Sequence, residues 1–573
     1  MAMTETIKWD HTVDVLVVGS GGGAMVAAIR AKDNGAETLM IEKTDKYGGN
    51  TAMSGGVIWV PNSHLMAAKG LQDSAEKGFK YLKSLIGDAV PDVRIRAYVE
   101  KAPEMVKWLH EKTALRFEAL EMYPDYYPEC AGYMDGGRSH DPKAFNAAAL
   151  GDEFENLRGQ HPQTLIWNIF TMETMEFRAV FKKEPGWVGV FAKVFFEWLL
   201  DFGYRLKFKK RSRRLTLGNS LVGSLRKTML DRRIPLWLNC GMKELIVEEG
   251  KVVGVIAEKN GQPFRIRAQK GVILGAGGFE KNQQMREQYL PGPTHTSWTA
   301  GSPGNTGDAH RAGIAIGADV KFMDDAWWGP TVVVPGESQA RMMIVEKSLP
   351  GCVFVDMNGK RYTDEAAPYI TVVHDMYKRQ REGVQAVPSW MIFGKDYRHK
   401  YPCGPVFPGE MMKDSGFMGV PPELWDSYIF KADSIEELAK KIGVANLDNL
   451  KQTIVNMNEY AKTGKDLEYD KGGNEYDRFY GDDQTGFPNP CLMPIEAPYY
   501  AVKVHAGELG TKGGLNADEK ARVLDKDGKV IPGVYVIGNN SAALMGPTYA
   551  GAGSTIGPAM AFGFIAADDV MGK

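Results

Sequence analysis

Between Val13 and Glu42 the chain carries a pattern that few folds can satisfy. Val13-Asp14-Val15-Leu16-Val17-Val18-Gly19 is a nearly unbroken apolar run, as a strand buried on both faces of a parallel sheet requires. It feeds Gly19-Ser20-Gly21-Gly22-Gly23-Ala24, then a helical pattern to Ala36, then a second strand, Thr38-Leu39-Met40-Ile41, that ends at Glu42. The spacing is G-x-G-x-x-A with an acid 23 residues after the first glycine. The glycines permit a tight turn and close approach of a pyrophosphate, and Glu42 can hold ribose hydroxyls. A lone glycine triplet is weak evidence. In strand–turn–helix–strand context, with Glu42 at the end of the second strand, it specifies a dinucleotide site.

A second Gly- and hydroxyl-rich loop follows at once, running from Lys43 through Gly48, Gly49, Asn50, Thr51, Ser54 and Gly55 to Gly56. A larger dinucleotide needs such a second cradle. Further small-residue turns end later strands, at Ala276-Gly277-Gly278 and at Gly538-Asn539, and Asn305-Thr306-Gly307-Asp308 opens another helix. Near the C-terminus, Pro547-Thr548-Tyr549-Ala550-Gly551-Ala552-Gly553-Ser554-Thr555-Ile556-Gly557 leads into an apolar run. A Gly-rich turn opening a helix leaves backbone N–H groups unpaired at the positive end of the helix dipole. Tyr549 with the Gly553 amide therefore reads as a two-donor site for an oxyanion.

A chain of 573 residues exceeds one hydrophobic core, so at least two domains are expected. The formal net charge of −2 gives no global pull toward nucleic acid. Five scattered cysteines, with no CxxC or Cys/His cluster, suggest neither metal nor disulfide framework and fit a reduced cytoplasmic protein. A nucleotide-binding strand from Val13 leaves no room for a signal peptide, and no long uncharged span crosses a membrane.

One segment, 170–214, changes character. Between Gly186 and Phe202 only Lys193, Glu197 and Asp201 are charged, and their spacing puts them on one helical face. The rest is mainly Trp, Phe, Val and Leu. Arg205 to Arg214 follows with seven cations and no acid. An apolar helix joined to a polybasic run fits a monotopic anchor on anionic lipid, with a buried helix and a solvated basic loop as the alternative. Elsewhere, an aromatic loop at Tyr123–Glu129 and the stretch Arg361–Tyr369, in which Pro368 fixes the backbone before Tyr369, would each pass as packing if met alone.

Together the scattered glycine loops resemble the glutathione-reductase-type FAD fold of the fumarate reductase/succinate dehydrogenase flavoprotein superfamily. More narrowly, Asp125-Tyr126-Tyr127, Asp364-Glu365-Ala366-Ala367-Pro368-Tyr369, Leu509-Gly510-Thr511-Lys512-Gly513-Gly514 and Tyr549–Gly553 resemble the 3-ketosteroid Δ1-dehydrogenase family. The resemblance implies an α/β FAD-binding Rossmann-like domain (1–325 and 500–573) plus an α+β catalytic capping domain (326–499). It implies that Tyr369 is the base, that Tyr126 assists it, and that Tyr549 and Gly553 bind a 3-keto oxygen. It implies FAD, non-covalent because the second loop has no His, and an external electron acceptor. Ala550 stands where some relatives are expected to have proline, and a looser loop is the expected cost. A fumarate reductase needs converging Arg and His residues for a dicarboxylate, whereas tyrosines with Trp298, Trp327 and Trp328 suit a neutral ring system. A 3-ketosteroid Δ4-(5α)-dehydrogenase, or a flavoprotein that only binds sterol, remain as alternatives. With a lipid-docking Gly186–Arg214, the expectation narrows to a cholest-4-en-3-one enzyme on the inner face of the cytoplasmic membrane.

Overall fold

The computed structural model describes residues 8–166, 169–181, 184–208, 211–416 and 419–573. The strand His11–Val18 pairs in parallel with Thr38–Ile41 on one side and with Gln262–Leu274 on the other. Leu236–Trp237 and Val530–Val536 extend this parallel core at its two sides. Every residue of Thr38–Ile41 is buried, as its continuous apolar sequence requires. Cys240–Glu248, Lys251–Lys259 and Gln262–Leu274 form an antiparallel meander on the same sheet, and Glu249-Gly250 turns the first hairpin with both residues at positive φ.

Two helices meet behind the glycine fingerprint. A Cβ on Gly23 in helix Gly22–Asp33 would lie 2.4 Å from the Ala559 carbonyl oxygen of helix Ile556–Asp569. A Cβ on Gly563 would lie equally close to the Gly23 oxygen, at 2.4 Å. Only glycine lets the two backbones approach this far. The contact brings the N-terminal ends of both helices to one cavity.

A second sheet has the order Arg341–Met342, Ala326–Val332, Tyr499–Thr511, Ser389–Phe393, Cys352–Val355, with Ile429–Ala432 also on the central strand. The sheet therefore runs past residue 499, where the sequence suggests a boundary. Tyr499–Thr511 pairs with Ala326–Val332 and with Ser389–Phe393 as one continuous strand.

Segment 170–214 folds as helices Thr174–Phe181, Trp187–Leu200 and Phe202–Lys207. Its charged stripe pairs within the segment: Glu197 meets Arg214, Lys193 reaches Glu176, and buried Asp201 holds Arg213. The apolar side faces outward, with Leu200 80% and Phe196 57% exposed. Val194, with Phe191 and Trp198, packs on Phe170 and Met172, so the helix seats one apolar face and exposes another. The basic run is less free than its sequence suggests, because Arg211 donates to the Phe154 and Leu157 carbonyls and Arg213 and Arg214 are ion-paired. Lys209 and Lys210 lie outside the described residues. Among the described residues no helix is long and apolar enough to cross a membrane.

Candidate active site

Between the two sheets lies a cavity of about 510 Å³. Gly19, Gly21, Gly22, Gly23, Ala24, Glu42, Lys43, Gly49, Asn50, Thr51, Ser54, Gly55, Gly56, Ala276, Gly277, Asn305, Asp308, Gly538, Asn539 and Ile556 line it, as do Tyr126, Tyr369, Tyr549 and Gly553. Three expected residues stand back from this wall. Gly48 sits at φ +112 against Ala52 and Val222, and Gly278 packs on Thr511 and Glu280. The Ser554 hydroxyl closes a turn, donating to the Gly551 carbonyl and accepting from the Gly551 N–H.

The donors of this cradle suit an extended dinucleotide. Helix Gly22–Asp33 has no side-chain N-cap; its Gly22 N–H donates to the Thr51 hydroxyl at 3.1 Å, which leaves the Gly23 and Ala24 N–H groups at the helix end to a phosphate. Glu42 is aimed by the Ser20 hydroxyl at 2.6 Å and by the Thr44 N–H and hydroxyl at 3.0 Å each. A Cβ on Gly55 would meet nothing within 4 Å, leaving room for a ring system beside the second loop. Asn50 ties that loop across the cavity, donating to the Leu509 carbonyl at 2.8 Å and accepting from Ser302 N–H at 2.5 Å. Sequence reasoning missed Glu280, which accepts from both Asn50 and Asn305 and is pushed up to about 7 by burial. No motif marked it, since a single acid after a strand carries no pattern.

At the other end the tyrosines converge. The rings of Tyr369 and Tyr549 are 5.2 Å apart, those of Tyr126 and Tyr549 5.5 Å, and those of Tyr126 and Tyr369 5.8 Å. Tyr369 opens helix Tyr369–Arg381, and Pro368 precedes it as the cap residue. The loop before it is seated by buried Lys347, which donates to the Glu365 and Ala367 carbonyls, and by Arg361, which pairs with Glu365 and Asp466. Tyr126 donates its backbone N–H to the Ala550 carbonyl, which also accepts from the Tyr81 hydroxyl, and Ser139 holds the Ala552 carbonyl. The C-terminal loop is therefore pinned at the Ala550 carbonyl. Asp125 anchors the Tyr126 loop, accepting from Trp59 Nε1 and Arg138 at 2.7 Å each. A Cβ on Gly553, at φ +97, would lie 2.4 Å from Ile58 backbone atoms.

Burial pushes the Tyr369 phenol well above its ordinary range, and a hydrogen bond from Tyr126 acts in the opposite direction. Burial also raises Tyr549, against donors from the Thr555 hydroxyl, Tyr369 and the Gly553 N–H. The Gly553 amide thus lies within hydrogen-bond reach of the Tyr549 oxygen. Tyr123 and Tyr480, hydrogen-bonded to each other, line the same end, and Tyr476 packs on Tyr126 at 4.6 Å. Tyr476 and Tyr480 stand four apart on a short helical stretch, a spacing indistinguishable from ordinary packing. None of the three expected tryptophans lines the cavity: Trp327 stands behind it against Tyr549 at 5.3 Å, Trp298 stacks on His505 and Trp328 meets Tyr377.

An FAD binding domain family model matches residues 14–556, so cradle and sequence together define an FAD-binding flavoprotein, and FAD is its cofactor. A 3-oxosteroid 1-dehydrogenase of Mycolicibacterium smegmatis is 38% identical, covering 97% of each chain, and one of Comamonas testosteroni is 38% identical, covering 98% of this chain and 97% of its own. The crystal structure of a 3-ketosteroid Δ1-dehydrogenase from Sterolibacterium denitrificans, in complex with 1,4-androstadiene-3,17-dione, superposes with a TM-score of 0.94 at 45% identity, covering 98% and 99%. The chain belongs to the 3-oxosteroid 1-dehydrogenase family.

Proposed function

We propose that this protein introduces a double bond between carbons 1 and 2 of 3-oxosteroids. The observation that carries the reading is the meeting of Tyr369, Tyr126, Tyr549 and Gly553 at one end of an FAD cradle. The Sterolibacterium relative's ligand, a 1,4-diene, is what such a reaction would yield. A 3-keto group acidifies the proton on carbon 2. Tyr549 O–H and Gly553 N–H stabilise the charge that grows on the keto oxygen as that proton leaves. Tyr369, as phenolate, takes the proton, and Tyr126 donates to the phenolate to sustain it. Bound FAD supplies the acceptor for the hydride from carbon 1, and an external acceptor then restores it. Burial of the tyrosines excludes water from the reacting atoms.

Supplying a 3-oxosteroid and an artificial acceptor to the FAD-loaded protein tests the assignment. A product desaturated at carbons 1 and 2 is expected; desaturation at carbons 4 and 5 would place the chain with the alternative steroid chemistry. The second cradle loop offers no His to FAD, so binding is non-covalent. Acid precipitation should leave the yellow chromophore in the supernatant, and a yellow pellet would contradict this.

The outward apolar face of Trp187–Leu200 suits docking on the inner face of the cytoplasmic membrane. Leu165, Ile166, Met172 and Phe177, beside this segment, give the cavity an apolar side toward it, which suits entry of an apolar substrate there. A sterol as insoluble as cholest-4-en-3-one would pass from lipid by that side. With Arg211, Arg213 and Arg214 engaged internally, apolar burial at roughly 25 cal/mol per Å² is the main driving force, and salt should release the protein only partly. Phe196→Glu/Leu200→Glu should abolish co-sedimentation with phosphatidylcholine/phosphatidylglycerol vesicles and slow cholest-4-en-3-one oxidation, with androst-4-ene-3,17-dione still oxidised. Unchanged sedimentation of a soluble, FAD-loaded double variant would remove the docking face.

A further inference from the structure

The motif Leu509–Gly514 places a lysine where the roles above assign none. Lys512 has no solvent exposure. Its ammonium donates to the Thr548 carbonyl at 3.0 Å, the peptide bond that carries Tyr549, and to Asp325 Oδ2 at 3.1 Å. It also lies 5.0 Å from the ring centroid of Trp327, and the ring of Tyr549 stands edge-on to the same indole at 5.3 Å and 86°. A buried cation and the phenol of Tyr549 thus lie against one and the same indole.

Asp325 does not spend itself on Lys512 alone. Its Oδ1 accepts from Trp328 Nε1 at 2.6 Å, from the Ala326 N–H at 2.9 Å and from His374 Nε2 at 3.3 Å. His374 stands on the helix that Tyr369 opens. The carboxylate thus links the element bearing the base to the loop bearing the electrophile, and its charge is spread over several donors. Burial lowers Lys512 to about 8, with Asp325 opposing the shift, so the ammonium stays charged at neutral pH. A neutral amide could hold the Thr548 carbonyl without the desolvation that a cation pays.

We propose that Lys512 is a positioning residue of the keto-oxygen site, fixing the Thr548–Tyr549 peptide and holding a positive charge behind Tyr549 that favours a negative oxygen in front of it. The proposal rests on the steroid reading given above. Coulomb attraction in a dry site is not screened by salt as a surface charge is. The Thr548 contact acts through the backbone and the charge through space, so variants can separate them.

Lys512→Gln keeps a donor for Thr548 and removes the charge; Lys512→Arg keeps the charge. The probe is 17β-estradiol, whose ring A is a phenol, bound to the FAD-loaded protein and titrated by its absorbance. In Lys512→Gln the bound phenol should ionise about one pH unit higher than in the wild type, with kcat about tenfold lower and KM little changed, and Lys512→Arg should restore both. Should Lys512→Gln lose FAD, Asp325→Asn/Lys512→Gln, which leaves no carboxylate unpaired, carries the same readout. An estradiol titration and a kcat that match the wild type in the charge-free variant would overturn the proposal. Wild-type protein that binds no estradiol would overturn it through the steroid reading, which the position of the product double bond tests separately.

Discussion

Tyr369→Phe should retain FAD, bind 3-oxosteroid, and turn over about 1000-fold more slowly than the wild type, within the range for loss of a general base. The substitution removes one oxygen at the cavity wall and leaves the ring contacts with Tyr126 and Tyr549, so the fold has no reason to fail. The whole loss should therefore appear in proton removal from carbon 2. Flavin reduction at a near-normal rate in this variant would take Tyr369 out of the chemistry. Tyr126 gives the same argument a pH axis. Its hydrogen bond opposes the upward push of burial on Tyr369, so Tyr126→Phe raises the phenol further. Because the phenolate is the working form, the rising limb of the rate profile should move to higher pH. An unmoved limb would leave Tyr126 as packing alone.

Tyr549→Phe is expected to cost about 100-fold in kcat, roughly 2.7 kcal/mol of transition-state stabilisation, the scale for losing one oxyanion donor. Gly553 N–H remains, which is why the loss should fall short of that at Tyr369. The loop itself should hold, because the Tyr126 amide, Tyr81 and Ser139 fix its carbonyls independently of the phenol. FAD content measured beside kcat distinguishes the two kinds of failure. A variant that keeps FAD and full activity would leave keto polarisation to the Gly553 amide. A variant that loses FAD would instead show that Tyr549 is needed to build the cradle.

Much of this site is legible in the chain because glycine and strand patterns have a local cause. Gly19 through Ala24 must turn tightly whatever lies elsewhere, and Thr38–Ile41 reads as buried from its own composition. Tyr126, Tyr369 and Tyr549 are different. Their meeting depends on contacts between residues hundreds of positions apart, such as Tyr81 with Ala550, and only family resemblance brought them together in advance. Glu280 and Tyr480 escape altogether, and Lys512 stands in a family motif with no role of its own, because a single acid, an i, i+4 aromatic pair or one buried lysine looks ordinary until its neighbours are known. The basic run at Arg205–Arg214 shows the reverse error. Charge density in sequence looked like free surface, but partners from residues 154, 157, 176 and 201 use much of it internally. The apolar helix before it is harder still to place from periodicity, since it is apolar both on the face that packs against Phe170 and on the face left exposed.

Anaerobic mixing of the FAD-loaded protein with androst-4-ene-3,17-dione tests the central claim most directly, with flavin absorbance followed through one turnover and the steroid recovered afterwards. The account predicts that the flavin bleaches, that deuterium at carbons 1 and 2 slows the bleaching, and that the recovered steroid is the 1,4-diene. A flavin that stays yellow, or one that bleaches while the new double bond forms elsewhere, would contradict it.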